Sequence, residues 1–214
     1  GTTYYCALKT ADESNNVSQL SNIPFTTTRG LPSPWLDADI GAVGLAGGAT
    51  HSNGLFTVRG AAADITSKAD AFHYLYQPAL GDCDIIALIT TISNTSSSAK
   101  AGVMIREALT NNAPFAATLL TPGMKMLWLY RSSAGSSASS SSASGSFVPP
   151  ASWVRVTRTN STFTSYSSLD GVTWKVIKSK SVTMNTNVFI GIAVSSKSTS
   201  RLNASTFDRV TVSP

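Results

Sequence analysis

Glutamate occurs only twice in the 214 residues, at Glu13 and Glu107, and histidine only twice, at His51 and His73. That scarcity bears directly on catalysis. Glycoside hydrolysis needs two carboxyl groups on opposite sides of the scissile bond, roughly 5–10 Å apart. Glu107 stands alone on its expected strand, with Leu109 two residues on. Asp37/Asp39 and Asp82/Asp84 have the alternate spacing, but they flank turns, where carboxylates commonly cap loops. A Ser–His–Asp triad would have to use His51, in a Gly/Ser/Asn turn, or His73, inside a strand between Phe72 and Tyr74. Neither lies near a nucleophile-elbow motif. Two His and two Cys without close spacing make no zinc site. The residue set reads as non-enzymatic.

Binding is better served. Strand parity places Asp70, Tyr74 and Tyr76 on one side of segment 71–78, and Lys100, Met104 and Arg106 on one side of 100–107. It likewise groups Met126, Trp128 and Tyr130 on 125–131. If these strands are neighbours, the grouped faces form one concave platform. Sugars suit such a surface, because their C–H groups stack on rings while charged planar groups pair with hydroxyls. The ligand-binding candidates are therefore Trp128, Tyr130, Arg106, Lys100, Asp70, Tyr74 and Tyr76. The competing reading is that aromatics at period two fill the core between two sheets, and that Arg106 pairs with Glu107 or Asp70. Trp35, Trp153 and Trp174 read as core or hairpin packing.

Short strands must position these residues. Between turns rich in Gly, Asn, Ser and Asp, strands are expected at 54–60, 71–78, 83–93, 100–107, 115–121, 125–131, 152–159, 162–168, 173–179, 187–195 and 204–212. With no helix-length periodic segment, this pattern predicts an all-β sandwich of two antiparallel sheets. Asp170-Gly171 predicts a type I′ hairpin turn. Residues 132–146 contain ten serines and no bulky side chain, and read as a mobile loop. Residues 29–34 carry two prolines and read as a linker. Before it, Tyr4, Cys6 and Leu8 alternate on a strand, and 17–28 returns as a second one. A two-stranded hairpin with an apolar face needs a cover, which makes residues 1–28 a candidate for self-association.

Composition narrows the class further. Charged residues are 13% of the chain, and Ser and Thr together number 58, which starves helices and favours strands and turns. No apolar run reaches the roughly 18 residues of a membrane-spanning helix. The net charge of +5 divides into −4 over residues 1–99 and +9 over 100–214. The basic residues are scattered, without an Arg-rich run or an aromatic RNA-binding motif, so nucleic acid is not the expected partner. The polar, Lys-poor composition points to a secreted, extracellular protein, where Cys6 and Cys83 could form one bridge; two buried free thiols is the alternative. Gly1 opens within a strand pattern, so the chain reads as part of a longer polypeptide.

Several motifs taken together carry a resemblance. They include Trp35-x-x-x-Asp39-Ile40-Gly41, Asp70-x-Phe72-x-Tyr74-x-Tyr76, Ala99-Lys100-Ala101-Gly102-Val103-Met104-Ile105-Arg106-Glu107, Tyr166-Ser167-Ser168-x-Asp170-Gly171-x-x-Trp174 and Thr206-Phe207-Asp208-x-Val210. Over residues 35–214 the chain resembles the concanavalin A-like (lectin/glucanase-like) jelly-roll domains of bacterial secreted proteins, a domain of unknown function. Residues 1–28 resemble the last two strands of a type III fibronectin domain. The resemblance implies a jelly-roll β-sandwich preceded by a β-hairpin. It also implies calcium as the metal to look for, held by oxygens of Asp37, Asp39 or Asp208 with loop carbonyls. Two functions follow as expectations. One is a non-catalytic carbohydrate-recognition or adhesion module of a larger secreted protein, with a polysaccharide or cell-surface glycan as partner. The other is a structural subunit of an extracellular filament or surface layer, assembled by strand addition through the N-terminal hairpin.

Overall fold

The computed structural model describes residues 3–5, 9–18, 25–27 and 30–214. Among them no helix forms, and the chain runs through sixteen strands. Two short ones come first, β1 (Thr3–Tyr5) and β2 (Phe25–Thr27), which pair antiparallel with each other. The rest build two seven-stranded antiparallel sheets.

The first sheet contains β3 (Leu36–Ile40), β6 (Phe72–Leu80), β8 (Lys100–Arg106), β9 (Phe115–Leu120), β10 (Met126–Arg131), β11 (Ser139–Ser142) and β15 (Asn187–Ser195). Its spatial order is β11-β10-β9-β8-β15-β6-β3. The second contains β4 (Val43–Ser52), β5 (Leu55–Ala62), β7 (Cys83–Ile92), β12 (Trp153–Thr159), β13 (Thr162–Ser168), β14 (Lys175–Ser181) and β16 (Asn203–Ser213). Its order is β14-β13-β12-β7-β16-β5-β4. The all-β, two-sheet sandwich expected from the strand pattern is what the chain forms, and each of the eleven expected strands has its counterpart.

Alternation decides which side chains are buried. On β7, Cys83, Ile85, Ala87 and Ile89 are buried while the residues between them are half-exposed. These four join Val103 and Ile105 of β8, Val154 and Val156 of β12, Ile190 and Ile192 of β15 and Phe207 of β16 in the core between the sheets. A second apolar cluster lies on the other face of the first sheet, around Phe72, Tyr74, Met104, Phe115 and Leu129, with Ile65 from the β5–β6 connection over it. The first sheet is thus buried on both faces along much of its length, and β8 and β9 read as runs of buried residues.

Four elements depart from the sequence reading. The segments 36–40 and 43–52 form the edge strands β3 and β4. The serine-rich stretch is not a free loop, because Ser139–Ser142 pair with β10. Its flanks are tied too: the Ala138 N–H donates to Ser67 O at 2.8 Å and the Ala143 N–H to Met126 O at 2.9 Å. Backbone pairing needs no bulky side chains, so a low-entropy edge position can order serines that have nothing to bury. The hairpin between β13 and β14 exists, but its turn is not type I′. Gly171 takes a positive φ of 75° and Asp170 does not. Instead the Asp170 carboxylate accepts the N–H groups of Val172 and Thr173 and the Ser168 hydroxyl, an Asx turn. The backbone N–H groups of Thr173 and Val172 hold its carboxyl well below the usual carboxylate range.

Candidate functional site

The sequence-predicted platform divides between two faces of one sheet. Within each strand the parity is right: Tyr74 and Tyr76 share a face, as do Lys100, Met104 and Arg106. Between strands the phase is not as expected. Met104 lies opposite Ala117, and Ala117 opposite Leu129, so Leu127, Leu129 and Arg131 are the β10 residues on that face. Trp128 and Tyr130 point the other way, into the space between the sheets. Trp128 is fully buried there, with Tyr130 partly buried and its ring 5.8 Å away. Neither can meet a ligand together with Arg106.

The remaining candidates are occupied by the protein itself. Arg106 is fully buried; its Nε donates to Ala108 O at 2.6 Å and its Nη2 to Thr110 O at 2.5 Å. Its guanidinium stands 5.0 Å over the Phe72 ring. Burial lowers its pKa from the usual arginine value, against the opposing pull of Asp70. Asp70 is held by two bonds of 2.7 Å from Arg131, whose other donors reach Ala113 O, Ser67 O and Ser136 O. Burial pushes the Asp70 carboxyl above its ordinary range, opposed by the guanidiniums of Arg131 and Arg106. These arginines therefore clamp the connections 63–71, 107–114 and 132–138 over the sheet instead of offering themselves to a sugar. Tyr74 is fully buried, with its hydroxyl donating to Met104 O or Phe189 O, and burial raises its phenol above the usual value. Tyr76 stacks on Tyr74 and is 8% exposed. Lys100 is buried against Asp64, which also takes Lys197 at 2.7 Å. Burial pushes Asp64 upward, but the hydrogen bonds from Lys100 and Lys197 outweigh it and hold the carboxyl below 3.8.

The calcium candidates do not converge on a cation. Asp37 and Asp39 are brought together, but around the imidazole of His73, at 3.1 Å from Nε2 and 2.7 Å from Nδ1. They also accept the backbone N–H groups of Ala49 and Gly47 from β4. A Cβ at Gly47 would lie 2.3 Å from His73 Nδ1, so the close approach of β4 requires glycine there. Asp208 is on β16 in the other sheet, where its carboxylate accepts the Arg209 N–H at 2.7 Å. Among the described residues no group of three His, Cys, Asp or Glu side chains could hold a metal ion. The oxygens expected to bind calcium are spent on an imidazole and on backbone donors, so they do not fit the ion.

Cys83 faces the core on β7, and burial pushes its thiol up to about 11. Cys6, the other half of the expected bridge, lies outside the described residues. So do Leu8 and the side chain of Tyr4, the other members of the expected apolar face. Glu107, expected on a strand, lies just past the end of β8 and accepts the Asn185 N–H at 2.7 Å.

An open aromatic and charged surface exists elsewhere, on the outer face of the second sheet. Arg155 of β12 lies opposite Tyr166 of β13 and Ile86 of β7. Its guanidinium stands 5.2 Å from the Tyr166 ring centroid and 5.7 Å from that of Trp174. Asp84 fixes it from below, accepting from Nε at 2.9 and 3.1 Å. All four side chains remain partly exposed. Around them stand Val172 and Val176, exposed to 82 and 60%. Trp153 packs on the turn: a Cβ at Gly171 would come within 2.6 Å of its ring. Sequence reasoning assigned Trp153 and Trp174 to packing and passed over Arg155 and Tyr166. The available signal was the strand parity that aligns Trp153, Arg155 and Thr157, opposite Tyr166, away from the buried Val154 and Val156.

No protein-family model matches the sequence, and no curated protein matches it either. Solved structures are similar in fold. A functionally unknown protein from Saccharomyces cerevisiae is similar with a TM-score of 0.65 and 16% identity, over 84% of this chain and 94% of that one. The carbohydrate-binding module CBM66 from Bacillus subtilis is similar at a TM-score of 0.55 and 12% identity, over 84% of this chain and 95% of that one. The GH43B protein of the Bacteroides ovatus xyloglucan locus is similar at 0.56 and 15%, over 94% of this chain but only 45% of that one. These likenesses are likenesses of fold, and they place the chain among two-sheet β-sandwiches.

Proposed function

We propose that the chain is a non-catalytic carbohydrate-recognition module of a larger secreted protein, binding a polysaccharide or cell-surface glycan through the outer face of its second sheet. The observation that carries this reading is the Arg155–Tyr166–Trp174 cluster, a partly exposed aromatic surface whose central guanidinium is fixed by Asp84. Fixing these side chains before binding lowers the ordering cost of recognition, and contiguous exposed apolar surface on a soluble domain marks an interaction site. The likeness of fold to a carbohydrate-binding module, nearly over that module's full length, supports the same reading. The test is retention on a panel of insoluble polysaccharides. Trp174→Ala with Tyr166→Ala should abolish retention while circular dichroism and melting stay those of a folded sandwich. A folded double variant that is still retained overturns the reading.

One observation favours a second reading, a subunit of an extracellular filament. Among the described residues, strands β1 and β2 pair with each other and with neither large sheet. In this reading residues 1–28, the end of a fibronectin-like unit joined through a linker at 29–34, add to a neighbouring copy. Light scattering on the intact chain should then show multimers that deletion of 1–28 abolishes. A monomer near 22.4 kDa for the intact chain disposes of this reading.

A further inference from the structure

On the side of the sandwich bounded by β14 and β11, three lysines stand without an ion pair among the described residues. Lys175, Lys178 and Lys180 of β14 lie opposite Ser167, Ser165 and Phe163 of β13, all three buried and facing the inside of the sandwich. Directly opposed residues of an antiparallel pair project to the same side, so the lysines point inward from the second sheet. They are exposed nonetheless, because β14 is the last strand and overhangs the core. The Lys180 ammonium reaches across to stand 5.9 Å over the Tyr130 ring of β10. None of the three makes an ion pair or hydrogen bond with a described residue, whereas Lys100 and Lys197 are both paired with Asp64.

The floor and rim of this opening are hydroxyl-rich. Ser139 and Ser141 of β11 lie opposite Tyr130 and Trp128, and so share their inward side. At one end is a cavity of about 290 Å³ lined by Ser144, Ser146, Ser167, Ser168, Asp170 and Lys175. Asp170 is its carboxylate, and that group is already tied to the backbone of its own turn. Asp170 therefore leaves one negative charge in the cavity that Lys175 also lines, while none of the three ammoniums makes an ion pair with a described carboxylate.

We propose that this side is a binding surface for an acidic polysaccharide, with the β14 lysines taking its carboxylate or sulfate groups and the surrounding serines its hydroxyls. Lysines in a row without counter-charges attract a polyanion by counterion release, and the serines offer donors and acceptors suited to sugar hydroxyls. The surface is separate from the Arg155 cluster: Tyr166 and Val176 lie on the opposite face of the same two strands. The proposal stands or falls independently of that cluster. Inward-pointing lysines on an edge strand also discourage pairing between molecules, but any charged residue fills that role.

The experiment measures binding of the intact chain to polygalacturonate, dextran sulfate, uncharged dextran and duplex DNA, at low and high salt. We expect binding to one or both acidic polysaccharides, none to dextran, and steep weakening by salt. Replacing the lysines by Gln at 175, 178 and 180 should weaken that binding by about tenfold or more. The triple replacement by Glu keeps the edge charged against self-association and should abolish binding. Preference for polygalacturonate or dextran sulfate identifies the anionic group as carboxylate or sulfate. Trp174→Ala should leave acidic-polymer binding intact even where it abolishes retention on a neutral polysaccharide. The proposal is overturned if either triple variant binds as the parent does, if duplex DNA binds as tightly as the polysaccharides, or if folded Trp174→Ala loses the acidic polymer.

Discussion

Where the sheets end at β3 and β4, Asp37 and Asp39 reach from one sheet to backbone N–H groups of the other, with His73 between them, 2% exposed. Where they end at β11 and β14, three lysines overhang a serine-lined opening and pair with nothing described. Both sides put charge on edge strands, so charge as such does not distinguish them. What differs is whether the donors and acceptors meet. On the first side carboxylates, imidazole and free strand N–H groups satisfy one another, and the polar groups hold the sheets together. On the second the ammoniums keep their hydration and contribute little to the fold. Polar residues that are mutually satisfied build structure, and those left open are available for recognition.

The largest expected effect probes the packing beneath the open side. If that side is open only in its charges, Trp128→Ala should cost about 3–5 kcal/mol in chemical denaturation, because a fully buried indole leaves a cavity. A cost below about 1 kcal/mol would mean that Trp128 is not core, and would revive it as a ligand contact.

Next comes the closed side. His73→Ala leaves two carboxylates facing each other without the ring between them and should cost about 3 kcal/mol. At this chain length that lowers Tm by roughly 6–12 °C. A fall no larger than that of an exposed substitution would erase the contrast between the two sides.

Asp64 sharpens the contrast with pH. Its carboxyl lies below 3.8 in the folded protein, so its stabilisation is complete above that value and is lost as pH falls through the lowered one. Asp64→Asn should cost about 1.5 kcal/mol at neutral pH and flatten the acid limb of the Tm–pH curve. An unchanged acid limb would show that the lysine pairs contribute nothing.

The smallest effect belongs to the lysines. Gln at 175, 178 and 180 together should change stability by no more than about 0.5 kcal/mol in the same denaturation assay. A larger loss would show that the open side is structural after all.

Much of the fold was legible because strand burial has period two, and the sequence writes that period into β7 and β12 directly. The strands it hid had no such signal. β3 carries two aspartates on its inward side, which only make sense once His73 and β4 are beside them. β11 is all serine and is ordered by its partner's backbone. The candidate site was less legible for a related reason. Parity groups residues within a strand, but the phase between strands is set by pairing register, and a shift of one residue carries a side chain to the other face. That is why Lys100 and Arg106 were correctly grouped, why Trp128 and Tyr130 were joined to the wrong face, and why Arg155 and Tyr166 were overlooked.

The sequence by itself determined an all-β chain, its strand positions, and which residues share a face within each strand, because those follow from local alternation and turn chemistry. Only the tertiary structure decided which faces meet, which charges are satisfied and which are left open. Those outcomes depend on register and sheet order, set by contacts between residues far apart in the chain, as between Asp39 and Gly47 or Asp84 and Arg155.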